Sequence, residues 1–135
     1  MANATSVTIL QDGPKNTRVL FQGVLDTSDL GSTTVVDPAL LSDLGPFTGM
    51  KAGALRIDKV DYDVEDLLEV RLFWDATTPV RISGLTGRGT IDNDRFKDWN
   101  NTKASGWTGK ITATTQGWVA SAVLSFSITL TLTKQ

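Results

Sequence analysis

Close to its end the chain reads Leu124-Ser125-Phe126-Ser127-Ile128-Thr129-Leu130-Thr131-Leu132-Thr133. Every second residue is apolar, and serine or threonine stands between. Successive side chains of a β-strand point to opposite faces, so this period of two predicts an antiparallel strand with one buried and one solvated face. The stretch therefore predicts a sheet protein with this end of the chain tied into the sheet.

Other segments repeat the pattern. Two runs place their apolar residues on one face: Val19, Phe21, Gly23 and Leu25, and then Leu68, Val70, Leu72 and Trp74. Shorter candidates are residues 7–10, 80–82 and 111–113, separated by turn sequences at residues 11–14, 75–79, 87–89 and 116–117. Within residues 54–64 the apolar parity changes, which predicts a one-residue bulge near Asp58 and Lys59. Seven or eight short strands of this kind predict an all-β fold, an antiparallel β-sandwich or a jelly-roll-like barrel.

One stretch carries helix signals. Asp37 is a good N-cap, Pro38 suits the first helical position, and Gly45-Pro46 is a typical stop. We predict one short helix of one to two turns here, inside a long connection that spans residues 26–53. The sequence has no βαβ alternation, internal repeat or linker, and 135 residues suit one core, so we expect a single domain over residues 1–135.

Charge and hydropathy exclude several partners. Thirteen basic and fifteen acidic side chains give a net charge of -2, with no basic stripe of the kind that tracks phosphates, so we expect no nucleic-acid partner. No apolar run approaches the roughly 20 residues that cross a bilayer, so we expect no membrane partner. Residues 1–6 lack the basic and apolar regions of a secretory signal, which favours a protein made in the cytoplasm.

The residue types available for chemistry are few. The chain has no His and no Cys, which removes the commonest general base, thiolate nucleophiles and the usual zinc ligands. Asp61 and Asp63 share a strand face that we expect to be solvated. The sequence Asp92-Asn93-Asp94 lacks the glycine and glutamate of a calcium loop, and residues 84–89 match no phosphate loop. We therefore expect no catalytic, cofactor-binding or metal-binding residues, and no enzyme activity.

The tryptophans fall into two groups. Trp74 fits a core stripe, whereas Trp99 and Trp107 lie in the polar stretch 97–107, where aromatic residues often anchor contacts between proteins or cap the core. A platform for stacking sugar rings is the alternative. The predicted contact surface is formed by the loop 95–107 and the connection 26–53, and its predicted protein-interface residues are Trp99, Trp107, Leu40, Leu44 and Phe47.

Several stretches resemble a group of small proteins encoded among the head and structural genes of tailed bacteriophages. The longest is Leu72-Phe73-Trp74-Asp75-Ala76-Thr77-Thr78-Pro79-Val80-Arg81-Ile82. The others are residues 9–14, 23–29, 55–60, 85–89, 117–118, 124–126 and 132–135. None of these stretches is a catalytic motif, and the resemblance assigns no functional residue.

The resemblance implies a structural protein of the virion. Within that class it favours a capsid decoration or cement protein that binds the major capsid protein on the outside of the shell, as a dimer or trimer. Such cement proteins are often β-sandwich or jelly-roll-like. Head-completion and tail proteins share the same gene neighbourhoods, so a role of that kind is an alternative hypothesis. A carbohydrate-binding β-sandwich module is a further alternative.

Overall fold

The computed structural model describes residues 3–13, 15–41, 53–92, 105–119 and 123–134. Within these ranges the chain forms β-strands and one three-residue 3-10 helix, Pro38–Leu40. The strands in chain order are β1 (Ala4–Asp12), β2 (Asn16–Leu25), β3 (Thr33–Val36), β4 (Leu55–Val64), β5 (Glu69–Trp74), β6 (Val80–Leu85), β7 (Gly87–Asp92), β8 (Ile111–Gln116) and β9 (Leu124–Lys134). The predicted all-β class is confirmed.

The strands pair as nested hairpins. β5 pairs with β6, β4 with β7, β3 with β8 and β2 with β9, in every case antiparallel. They form one long hairpin that is rolled up into two sheets, with the strand orders β1-β2-β9-β4-β7 and β3-β8-β5-β6. Apart from β1, which is added outside β2, this is the strand order of a jelly roll. The two sheets that the structure describes stay separate, so the sandwich is confirmed and a closed barrel is not formed.

The hydrophobic core fills the space between the two sheets. Buried residues occupy every second position of β2 and β5 and most of β9, as the sequence predicts. The rings of Phe21 and Phe126 meet there with centroids 5.1 Å apart, and Trp74 is buried, as predicted. Burying one large apolar side chain stabilises the fold by about 1.5–3 kcal/mol, so these alternating faces hold the sheets together.

The predicted bulge in β4 is confirmed. Its register against β9 shifts between Ile57 and Lys59, which turns the apolar residues on both sides of the shift toward the core. Asp58 accepts a hydrogen bond from Arg56 Nε at 2.9 Å, and the Thr133 hydroxyl also donates to its carboxylate. These polar contacts fix the irregular point of the strand.

Two strands depart from the sequence-based expectation. The sequence predicts a helix and no strand in residues 26–53, yet β3 lies there. A turn is predicted at residues 87–89, but β7 already starts at Gly87, whose φ of +72° makes the sharp turn out of β6. Gly89 lies inside β7 because Tyr62 occupies its side-chain space: a methyl group there would lie 2.7 Å from Tyr62 Oη.

The predicted helix is shorter than expected. Asp37 does cap it, since its carboxylate accepts the Ala39 N–H at 3.0 Å, and Pro38 holds the first position. The turn is a single 3-10 turn, not one to two turns of α-helix, because Leu41 already has extended backbone angles. The predicted stop at residues 45–46 lies outside the described residues.

Candidate protein interface

β1 is an edge strand of the five-stranded sheet, and both of its ends are fixed. At its start the Asn3 side-chain oxygen accepts hydrogen bonds from the backbone N–H groups of Asp26 (3.0 Å) and Thr27 (3.1 Å). At its end the Asp12 carboxylate lies 2.7 Å from the ammonium group of Lys134, whose side chain is wholly buried. The strand is therefore held firmly beside β2, although eight of its nine residues are exposed.

One face of β1 continues the inner, core-facing side of the five-stranded sheet, but the four-stranded sheet that covers the neighbouring strands does not cover it. Val7 lies opposite Phe21 and Ile9 lies opposite Val19, and directly opposed residues of antiparallel strands share a face. Phe21 and Val19 are completely buried, whereas Val7 is 42% and Ile9 is 47% exposed. The inner face of the five-stranded sheet thus continues as an uncovered apolar strip along β1.

An apolar groove of about 260 Å³ lies between β1 and the segment that runs from β3 into the 3-10 helix. β1 and β2 form one side, and the β3 segment forms the other. The residues that line it are Val7, Ile9, Val19, Thr34, Val35, Val36, Asp37, Leu40 and Leu41. At 78% exposure, Leu40 is the most accessible of the large hydrophobic residues in the part of the chain that the structure describes.

Few polar groups point into this groove. Asp37 is the one charged residue among those that line it, and its carboxylate caps the helix and lies 4.0 Å from the Lys110 ammonium group. A small-molecule site usually sets several convergent polar groups in an apolar pocket to orient its ligand. This groove is better suited to the apolar side chains of another protein.

The predicted interface residues are partly brought together. Leu40 lines the groove, and Trp107 is 38% exposed on the loop before β8. That loop lies near the helix that carries Leu40, because a methyl group at Gly109 would lie 3.4 Å from Pro38 Cγ and the Lys110 ammonium group is 4.0 Å from the Asp37 carboxylate. Leu44, Phe47 and Trp99 lie outside the described residues.

Sequence reasoning missed Val7 and Ile9. Their alternation with Ser6 and Thr8 is that of an ordinary half-buried strand. The local sequence does not show that the opposite sheet leaves these two residues uncovered. One signal was available: no charged residue occurs from Ala4 to Gln11, which is unusual for an edge strand.

A tryptophan platform for sugars is not favoured by the three tryptophans that the structure describes. Trp74 lies in the core and Trp118 packs partly buried against it. The Trp118 backbone N–H also donates to Asp29 at 3.0 Å, which holds this tryptophan beside the start of β3. Among the described tryptophans, Trp107 is therefore the one with substantial exposure to solvent.

The carboxylates on the outer face of the five-stranded sheet are engaged in structural contacts. Asp61 accepts a hydrogen bond from the Thr90 hydroxyl at 2.6 Å, and Asp63 is 3.1 Å from Arg88. Asp63 and Glu65 line a broad open concavity of about 600 Å³ on this face. Both are exposed to water, whereas a carboxyl group that acts as a general acid near neutral pH is usually shielded from it.

On the other sheet Glu69 is held by two arginines. A hydrogen bond from Arg71, aided by the charges of Arg71 and Arg81, lowers the pKa of the Glu69 carboxyl. The group is ionised and paired at neutral pH, and so acts as a structural anion between β5 and β6. Across the described ranges, no three acidic residues come together in a way that could hold a metal ion.

Comparison of the chain with protein-family models, with curated proteins and with solved structures finds no match in any of the three. In the part of the chain described, no helix has the length and apolar character to span a bilayer.

Proposed function

We propose that this chain is a structural protein of a tailed-phage virion that binds the major capsid protein from outside, as a decoration or cement protein. The proposal combines the sequence resemblance with one structural observation, the exposed apolar groove beside Leu40. A jelly-roll sandwich with exposed apolar residues at one end suits a protein that attaches to a larger surface.

The groove supports binding to protein and not catalysis. Its lining is mostly aliphatic, and Leu40 projects at its rim with most of its surface in water. Interfaces draw most of their affinity from a few central apolar or aromatic anchors that become fully desolvated. Leu40 and Trp107 lie on adjoining segments and are the described residues best placed to act as such anchors.

A matched pair of leucine variants tests this role. Leu40→Asp should weaken binding of the purified protein to capsids that lack it by at least about tenfold, since loss of a central anchor costs about 2 kcal/mol or more. Leu67 is 69% exposed on the turn before β5, away from the groove, so Leu67→Asp makes the same chemical change there and should bind normally. Co-sedimentation with capsids measures both, and circular dichroism checks that each variant is folded.

Location in the particle is the second test. Imaging of assembled virions with this chain traced should find it on the outer capsid surface, at the boundaries between capsomers. Its presence in the tail tube or the neck would favour the head-completion or tail alternative. Its absence from the virion would refute the proposal.

A further inference from the structure

We propose that β1 pairs antiparallel with β1 of a second copy, which joins two five-stranded sheets into one continuous sheet across a two-fold axis. This inference does not depend on the virion role. It rests on the outer edge of β1, beside which no further described strand lies, on the way its ends are fixed and on its sequence.

The described sheets have four edge strands, and three of them carry features that discourage pairing with another chain. β3 has four residues and a register shift, β6 follows Pro79 and carries Arg81, and β7 carries Arg88, whose side chain is 84% exposed. Short length, irregular pairing, proline and charge are the usual protections of a sheet edge. β1 has nine residues, and from Ala4 to Ile9 it has no charge, no proline and regular pairing.

β1 is also ordered before any partner arrives. The Asn3 contacts hold its start and the Asp12–Lys134 contact holds its end. A strand already fixed in extended form loses little conformational entropy when a second strand joins it. Its outer backbone N–H and C=O groups, which pair with no other described strand, therefore form a prepared template.

The sequence of β1 is compatible with itself in the antiparallel direction. A two-fold axis perpendicular to the sheet keeps the inner faces of both copies on one side. Pairing centred on Val7 then sets this residue against its own copy and Ile9 against Thr5 of the second copy. No like charges meet, because the one charged residue of β1 is Asp12, which is paired with Lys134 at the far end. Val7 and Ile9, half-exposed in one copy, become covered from the side.

A pair of lysine variants tests the dimer in the full chain. In equilibrium sedimentation the protein should have twice the 14.6 kDa mass of one chain. Ser6→Lys with Thr8→Lys should return it to the monomer mass, because four ammonium groups would meet across the axis. Ser32→Lys with Thr78→Lys adds the same charge at two exposed positions outside β1 and should leave the dimer intact.

Cross-linking gives an independent readout, because the chain has no cysteine. Residues opposed across an antiparallel pair have Cα atoms about 4.5–5.5 Å apart, within disulfide range. Single cysteines at positions 6, 7 and 8 should therefore give a covalent dimer on oxidation at the central position, whereas Val119→Cys, also exposed, should not. A monomer at all concentrations, or a dimer that survives both lysines without cross-linking at any of the three positions, would overturn the proposal.

Discussion

Gly23 lies on the inner face of β2, directly opposite Phe126 of β9, and the Phe126 ring occupies the space where a side chain would stand. A methyl group at Gly23 would lie 2.6 Å from Cζ and 2.7 Å from Cε1 of that ring. Ordinary contact begins near 3.4 Å, so the ring would have to move by about 0.8 Å. Phe21 packs against the ring with centroids 5.1 Å apart, and Phe126 is 4% exposed, so little free space is available.

We expect Gly23→Ala to destabilise the fold by about 1–2 kcal/mol. Overpacking of a core costs about 1–3 kcal/mol. Reduced freedom of the unfolded chain offsets about 0.4–1 kcal/mol of that cost. Urea unfolding followed by tryptophan fluorescence measures the difference. Gly31→Ala is the control: nothing lies within 4 Å of a methyl group there, so it should be neutral or slightly stabilising.

A double variant separates this clash from a general preference for glycine. Phe126→Leu removes the far ring atoms that the new methyl group meets, so Gly23→Ala should cost less in that background than in the natural chain. Contacting residues typically show a coupling of about 0.5–3 kcal/mol. Simple additivity of the two changes, or a Gly23→Ala variant as stable as Gly31→Ala, would refute the packing argument.

Two further predictions concern buried polar groups. The Thr17 hydroxyl is buried with no hydrogen-bond partner among the described residues. Thr17→Val keeps the shape and should therefore raise the unfolding free energy by about 1 kcal/mol; a loss of stability in urea would contradict this. Lys134→Ala removes a wholly buried side chain and its ion pair with the partly exposed Asp12, and should cost about 2–5 kcal/mol, whereas Lys134→Met keeps the apolar stem and should cost less. Equal thermal unfolding midpoints for the two Lys134 variants would show that the stem contributes nothing.

The inner faces of the sandwich were predictable because, in an antiparallel sheet with one solvated face, buried apolar and exposed polar residues alternate along each strand. β9, β2 and β5 keep a period of two, and the break in that period in β4 marks its bulge. In these strands the local pattern and the tertiary position agree, so sequence reasoning placed both the strands and their buried residues.

The missed strands lack that agreement. In β3 the adjacent residues Val35 and Val36 are both buried, because the register shift after Thr34 turns both inward, and no alternation remains to be read. β7 contains two glycines that suggest a turn by composition. Gly89 leaves room for the Tyr62 ring, and this contact forms only when β4 and β7 are paired.

The same limit applies to the candidate interface. Leu40 was predictable because an apolar residue in a capped turn, within a long connection, has little core to enter. The exposure of Val7 and Ile9 depends on how far the opposing sheet extends, which is set by the pairing of distant strands. The lack of charged residues in β1 was the local sign of this surface. It points to an interface once β1 is known to be an edge strand.

In the proposed dimer the second copy covers Val7 and Ile9 from the side, so the proposed capsid contact would be made by Leu40 and Trp107. A two-fold axis perpendicular to the joined sheet leaves both four-stranded sheets, and with them both copies of Leu40, on the same side of that sheet. Two anchors that reach one surface together bind more tightly than either alone, because the second contact forms at a high effective concentration. A repeating shell presents identical sites to such a pair. Separation of the copies would weaken attachment even with each groove intact, whereas a change at Leu40 would weaken each contact directly. The two proposals can therefore fail independently.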